Sequence, residues 1–206
     1  TGITPDFIVV DGTEGGTGAA PVEFSNHVGM PMIEGLTFVH NTLRGAGIRD
    51  QVKLGAAGKV VSAFDIARAL ALGADWCNSA RGFMFAVGCI QAQACHTNHC
   101  PVGVATQDPT RQRALDVDDK SQRVARFHRN TLMALGEMTG AAGLEHPSDF
   151  LPRHMMMRQS DNSMVQGDQV YGYLPEGYLL DDQSPDYNGN KTRWARAQAD
   201  SFVPFD

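Results

Sequence analysis

The amino-acid sequence predicts an α/β protein built on parallel strands, and three observations carry that expectation. Short, continuously apolar runs recur along the first half of the chain, as strands buried on both faces require. Each run ends in a loop of glycine and small residues and is followed by a segment with helical apolar spacing. The order strand, helix, strand, helix, strand, helix is what a parallel sheet needs, because each parallel strand reaches the next through a crossover. With 206 residues, 42% of them hydrophobic, the chain can bury one ordinary core.

The first strand is expected from Asp6 to Asp11, bounded by the turn-rich stretch Asp11-Gly12-Thr13-Glu14-Gly15-Gly16-Thr17-Gly18. Pro31 sits where a helix can begin, and Ile33, Leu36, Val39 and Leu43 give Met32 to Ala46 a helical stripe that Gly45 and Gly47 can stop. Val52 to Ala56 reads as the second strand, followed by Ala57-Gly58-Lys59. Ser62 and Asp65 resemble a capping box, opening a helix through Ile66, Ala69 and Leu70 that closes at Gly73. Asp75 to Asn78 is the third strand, leading into Ser79-Ala80-Arg81-Gly82 and an apolar helix from Phe83 that is expected to carry Cys89.

Beyond Cys100 the alternation stops. A long helix is expected over Val117–Met138, with Val124, Phe127, Thr131, Leu135 and Met138 on one stripe and Gly140 at its end. Residues 147–158 suggest a short helix capped by Ser148, and from Gln159 the Gly, Asp, Asn and Ser content predicts an extended or partly disordered tail. The expected organisation is therefore 1–108 as βα units with a cysteine loop, 109–158 as a helical part, and 159–206 as the tail. Three strands cannot close a (β/α)₈ barrel, which takes eight strands and about 250 residues. Either further strands lie on other polypeptide or the sheet is small and open. The chain also begins as the middle of a protein does, at Thr1 and almost at once in a strand, which suggests a processed chain or a fragment.

Charge removes one class of function. The formal net charge is −6 and no basic run occurs, so the electrostatic footprint of a nucleic-acid binder is missing. No apolar stretch reaches the roughly 18–20 residues of a membrane span, and no basic-then-apolar signal opens the chain. All four cysteines fall between positions 77 and 100. A disulfide framework would spread its bridges, whereas clustering points to metal chemistry in a reducing, cytoplasmic setting, with a targeting or membrane segment still possible upstream of Thr1.

Cys89, Cys95 and Cys100 form C-x5-C-x4-C, and Pro101 follows the third. Thiolates are soft ligands suited to iron–sulfur clusters and to zinc. An iron–sulfur cluster is the leading expectation. Three inert buried thiols are the plain alternative, and a Cys₃His zinc site with His96 or His99 is the sharper one, although it lacks the usual close Cys-x2-Cys pair. Cys77 reads as a packed strand residue. A second constellation consists of three small-residue loops at strand ends: Gly15-Gly16-Thr17-Gly18, Gly58-Lys59 and Ser79-Ala80-Arg81-Gly82. Backbone N–H groups freed by glycine point at an oxyanion, and Lys59 and Arg81 add charge. His27, His40, His128 and the run Met155-Met156-Met157 suggest ordinary surface or packing roles.

The stretch from Gly88 through Cys89, Cys95, Cys100 and Pro101 to Gln107, with His96-Thr97-Asn98-His99 between its second and third cysteines, resembles the cluster segment of glutamate synthases. Gly15-Gly16-Thr17-Gly18-Ala19 upstream looks like the loop of their FMN-binding synthase domain, and the likeness covers roughly residues 5–155. The resemblance implies the C-terminal portion of a (β/α)₈ TIM barrel with an iron–sulfur loop and a helical or irregular C-terminal extension. It implies FMN and a [3Fe–4S] cluster, with Cys89, Cys95 and Cys100 as ligands and Gly15, Gly16, Thr17, Gly58, Lys59, Ser79, Ala80 and Arg81 as cofactor contacts.

The reaction so implied passes electrons from a donor such as ferredoxin or a reductase subunit to FMN, which reduces 2-iminoglutarate, formed from 2-oxoglutarate and ammonia, to L-glutamate. Two departures stand out. Ala57-Gly58-Lys59 replaces the Asp-Gly-Gly usual in the large synthases, and Ala80-Arg81-Gly82 replaces their Gly-Thr-Ala, a pattern more similar to the short standalone glutamate-synthase-like proteins. No glutaminase domain or earlier barrel strand is in the chain, so a complementary N-terminal segment is expected, the isolated chain is expected to be an incomplete enzyme, and no catalytic acid or base is assigned. Glutamate-dependent N-methyl transfer on the same scaffold and a zinc-stapled interaction module are the two rival functions.

Overall fold

A computed structural model describes residues 3–14, 20–21 and 23–201. Its centre is a three-stranded parallel sheet, β1 (Phe7–Asp11), β2 (Lys53–Ala57) and β3 (Trp76–Asn78), in the order β1-β2-β3. Helix α1 (Met32–Gly45) connects β1 to β2 and α2 (Ala63–Ala71) connects β2 to β3. The period of two along the strands decides what each side of the sheet meets. Ile8, Val10, Leu54, Ala56 and Cys77 pack with Leu36, Leu43, Ala69 and Leu72 of the helices. The other face presents Phe7 and Val9, which remain 59% and 40% exposed. Trp76 is paired in register with Gly55 there, and its ring meets Phe7 edge-on at 5.8 Å.

Local signals explain the helix limits. The Met32 N–H, at the start of α1 just after Pro31, donates to Glu14 Oε2 at 2.9 Å, a carboxylate set at the positive end of the helix. For α2 the capping box is complete: Asp65 N–H donates to Ser62 Oγ at 3.2 Å and Ser62 N–H to Asp65 Oδ2 at 2.8 Å. Helix α3 (Arg81–Val87) begins two residues before the expected Phe83 and stops at Gly88, whose φ of +120° ends the ladder. Cys89 is therefore outside the helix expected to carry it, in the loop that follows.

A one-turn helix, α4 (Pro109–Gln112), precedes the long α5 (Val117–Ala141), which is capped by Asp116. Helix α5 packs across α2 and α3, and a second core gathers Ala63, Ala67, Ala71, Leu135 and Phe150. Phe127 and Phe83 meet edge-on at 5.3 Å where α5 crosses α3. Residues 147–158 do not form the expected helix. They make two 3₁₀ turns, Pro147–Asp149 and Pro152–His154, and the first cap is His146 rather than Ser148. Proline is the physical reason. Pro152 has no N–H to donate and forces Leu151 to extended backbone, φ −122° and ψ 158°.

The stretch from Gln159, expected to run extended, holds short elements as far as Ser201. These are β5 (Met164–Gln166), antiparallel to β4 (Met156–Arg158), then α6 (Gly167–Tyr171) and α7 (Asn190–Arg196). This part is tied back onto the first layer: Leu174 N–H donates to Asn41 Oδ1 at 3.0 Å and the Tyr173 hydroxyl to the Leu72 carbonyl at 3.1 Å. Among the described residues no helix is long and apolar enough to cross a membrane.

Opposite the strand-to-helix loops, Arg49 locks the returning chain. Its guanidinium donates to the Val52 and Gly73 carbonyls, both at 2.8 Å, pairs with Asp75 at 2.8 Å, and reaches His40 Nδ1 at 3.2 Å. Burial, then the Arg49 and Arg44 charges, lower the His40 pKa from 6.5 to about 4, against smaller opposing effects of the Gly73 backbone and Asp75. The unfolded chain thus binds a proton between those two values that the folded chain does not. This contribution is complete above about pH 6.5 and is lost as the pH falls toward 4. Asp75, drawn below the usual carboxylate range by Leu54 N–H and by Arg49 despite its burial, titrates below that window. Urea unfolding should therefore show stability falling by about 3 kcal/mol from pH 7 to pH 4. His40→Gln should remove that component, and an unchanged slope in the variant would contradict the assignment.

Candidate cofactor cleft and thiol loop

Every strand-to-helix loop of the parallel sheet leaves on one side, and there lies a cleft of about 500 Å³. Glu14 and Asn26 reach it from the loop after β1, Lys59 from the loop after β2, and Arg81 from the start of α3. Phe85, Cys89, Cys95 and His96 complete the far wall. The C-terminal ends of parallel strands are where α/β proteins bind ligands, because helix starts and loop N–H groups collect there.

The expected contact residues divide. Lys59 and Arg81 line the cleft. Gly58 shapes the turn that presents Lys59: its φ is +146°, and a Cβ there would stand 2.8 Å from Met32 Cβ. Ser79 directs its hydroxyl to the Val60 carbonyl at 2.7 Å, tying the loop after β3 to the loop after β2. Ala80 is the residue before α3. Gly15, Gly16 and Thr17 lie outside the described residues. Asn26 was not singled out by sequence; it donates its backbone N–H to the Thr13 carbonyl at 2.8 Å and accepts Lys59 Nζ on Oδ1 at 2.6 Å. An Asn in a turn tolerates left-handed backbone, here φ +70°, which is the one sequence signal that could have marked it.

Cys89, Cys95 and Cys100 line one small hollow floored by Met84, Pro101 and Val102, and Cys89 and Cys95 also face the large cleft. No histidine ring lines the hollow among the described residues; His96 lies on the cleft side, and His99 uses its carbonyl to accept Arg111 at 3.4 Å. Among the described residues no three His, Cys, Asp or Glu side chains are grouped so as to hold a single metal ion. Cys77 stays in the sheet, where burial and then Asp65 push its thiol up to about 11. It is a protonated packing residue at neutral pH.

The loop is wound by left-handed residues. Between 88 and 103, Gly88, Gln91, Gln93, Asn98 and Gly103 all have positive φ. For side-chain-bearing residues such backbone costs on the order of 1 kcal/mol or more each, so the surroundings must hold it. They do so through a polar lattice centred on Asn98. Its carbonyl accepts the Thr106 hydroxyl at 2.7 Å and its Oδ1 accepts Gln107 N–H at 2.6 Å. Gln112 of α4 then holds the Thr106 carbonyl at 2.8 Å. Gly103 packs so closely that a Cβ would lie 2.4 Å from the Arg111 carbonyl oxygen.

This winding turns N–H groups toward sulfur. Gln91 N–H donates to Cys89 Sγ at 3.4 Å. Burial raises the Cys100 thiol, but the backbone N–H groups of Ala105, Val102, Val104 and Gly103 outweigh it and hold the thiol below its usual range. N–H groups gathered on a buried sulfur stabilise a thiolate, the form that binds metal.

Parallel strands with cations at their loop ends, and beyond α3 a loop that brings three thiols to one hollow, define an α/β protein with a cation-bearing cleft beside a thiol-lined hollow. Residues 2–145 match the family described as the conserved region in glutamate synthase, and the chain belongs to the glutamate synthase family. It is 45% identical over 170 residues to the glutamate synthase large subunit-like protein YerD of Bacillus subtilis, covering 82% of this chain and 32% of that protein. To the archaeal glutamate synthase [NADPH] of Methanocaldococcus jannaschii it is 37% identical over 139 residues, 68% of this chain and 27% of that protein. To ferredoxin-dependent glutamate synthase 1 of Arabidopsis thaliana it is 45% identical over 176 residues, 85% of this chain and 10% of that protein. The chain thus spans a third or less of these relatives.

Asn98→Ala should remove the acceptor for Gln107 and strain the backbone, costing about 1–2 kcal/mol locally. Hydrogen exchange should accelerate over residues 95–107 and stay unchanged in β2. Asn98→Gly, which relieves only the backbone strain, should fall between the variant and the wild type.

Proposed function

We propose that this chain is the cofactor-holding part of a glutamate synthase-type oxidoreductase that uses FMN and a [3Fe–4S] cluster. One observation carries the reading: three thiols line a single hollow, and two of them also face a cation-bearing cleft at the strand ends. The donor set fits the cluster. Cys89, Cys95 and Cys100 are three soft ligands, the Gln91 N–H donates to one sulfur, and the backbone of residues 102–105 holds the pKa of another below its usual range. A zinc staple is not favoured, because the imidazole it needs as fourth ligand is not at the hollow. The cleft fits a flavin mononucleotide in size, with Lys59 and Arg81 available to its phosphate.

Sheet geometry supports a barrel. β1 and β3 are the outer strands of the described sheet, and among the described residues no helix layer covers the face bearing Phe7, Val9 and Trp76. Both features fit late strands of a (β/α)₈ barrel whose other strands come from a complementary N-terminal segment, consistent with relatives more than twice as long.

When bound, the pair supplies one-electron delivery through the cluster and hydride transfer from the flavin to 2-iminoglutarate, formed from 2-oxoglutarate and ammonia, giving L-glutamate. The protein's share is positional. Gly58 and Ser79 set the loops, Lys59 and Arg81 bind the anionic end, and the Asn98–Thr106 lattice keeps three sulfurs beside the cleft wall. The donor is a ferredoxin or a reductase subunit, and the setting is cytoplasmic.

Full-length protein supplied anaerobically with 2-oxoglutarate, ammonia or glutamine, and a reduced donor should form glutamate. Bound, reducible flavin without glutamate would overturn the substrate. Cys95→Ser should retain flavin absorbance yet lose donor-driven turnover by about 100-fold or more, since a lost ligand should cost no less than a lost supporting contact. Normal turnover in that variant would remove Cys95 from the cluster.

A further inference from the structure

Lys59 is held by a neutral group where a charged one would be ordinary. Its backbone is left-handed, φ +49°, directly after Gly58 at +146°. This places a lysine on the cleft wall at a conformational cost the surroundings must meet. The Nζ donates to Asn26 Oδ1 at 2.6 Å across 33 residues of sequence. Asn26 is itself fixed, with φ +70° and its N–H on the Thr13 carbonyl at 2.8 Å, while Thr13 N–H binds the Met30 carbonyl at 3.0 Å.

The carboxylate on the same cleft is not paired with this cation: Glu14 accepts the Met32 N–H on Oε2 and forms no ion pair with Lys59. Among the described residues neither Lys59 nor Arg81 has a carboxylate partner. An amide oxygen aims an ammonium without cancelling its charge, and two of the three Nζ donors stay available. An aspartate at the same place would hold the lysine as firmly and would cancel the charge that an anion needs to meet.

We propose that Asn26 is a positioning residue that holds Lys59, fully charged, toward the oxyanion of the ligand in the cleft. Lys59 and Arg81 approach that oxyanion from the loop after β2 and the loop after β3. The assignment rests on the flavin reading for the identity of the oxyanion, the flavin phosphate, but not for the latch itself.

The test uses full-length protein and three variants: Asn26→Ala, Asn26→Asp and Lys59→Ala. Flavin fluorescence titration should show Asn26→Ala weakening FMN about tenfold, which is ~1.4 kcal/mol, with riboflavin binding unchanged. Asn26→Asp should weaken FMN at least as much, whereas a merely structural contact would leave it neutral or tighter. Asn26→Ala combined with Lys59→Ala should be no weaker than Lys59→Ala alone. If FMN binding is unaffected but KM for 2-oxoglutarate rises about tenfold at unchanged kcat in both Asn26 variants, the positioning role holds and the oxyanion is the substrate carboxylate. If wild-type protein binds no flavin, the flavin reading fails. The latch then stands on inorganic phosphate, which should raise the wild-type Tm and not that of the three variants. Equal loss of FMN and riboflavin, additive double-mutant effects, or Asn26→Asp behaving as wild type would overturn the proposal.

Discussion

A parallel strand cannot turn directly into its neighbour; the chain must cross back along a helix before the next strand begins. In this chain that requirement places the loops after β1, β2 and β3 together at one edge of the sheet. Lys59, Arg81, Glu14 and Asn26 come from loops far apart in sequence and meet on one cleft for that reason. The opposite edge carries the returning chain, and there Arg49 gathers two carbonyls, Asp75 and a neutral His40. The separation leaves the loops at the cleft free to adopt costly backbone while the Arg49 edge maintains the register.

The thiol loop uses that freedom most. Helix α3 is stopped by Gly88 before its apolar run would carry Cys89 inward, and the next fifteen residues wind through four more left-handed positions. Winding of this kind turns consecutive N–H groups inward, which sulfur can accept and a regular helix would have engaged on its own carbonyls. The lattice of Asn98, Thr106, Gln107 and Gln112 supplies the contacts that keep the loop in this form. Helix α5 braces α3, from which the loop departs, through Phe127 against Phe83.

Much of this was legible in the sequence, for identifiable reasons. The limits of β1, α1, β2 and α2 follow from apolar period, from Pro31 and from the reciprocal Ser62–Asp65 cap, all of which act within a few residues. The end of α3 was misread because Phe83, Phe85 and Val87 look helical up to a glycine that could equally have been interior. In the C-terminal stretch, Asp and Asn suggested extended chain, but the same residues cap turns: Asp186 accepts the Lys191 and Thr192 N–H groups at 2.8 and 3.2 Å. The cysteines were visible by spacing, yet their meeting on one hollow depends on five backbone angles that spacing does not encode. The Asn26–Lys59 contact was not legible, because no local pattern links residues on different loops.

Shared thiols between hollow and cleft are the centre of the proposed chemistry, and composition tests them most directly. Iron, acid-labile sulfide, zinc and flavin should be assayed on one anaerobic sample of the full-length protein. About three irons per bound FMN, with sulfide and without stoichiometric zinc, is the expected result for three thiolate ligands on a cluster. Stoichiometric zinc with neither iron nor flavin would contradict it and leave the cysteine loop as a structural staple.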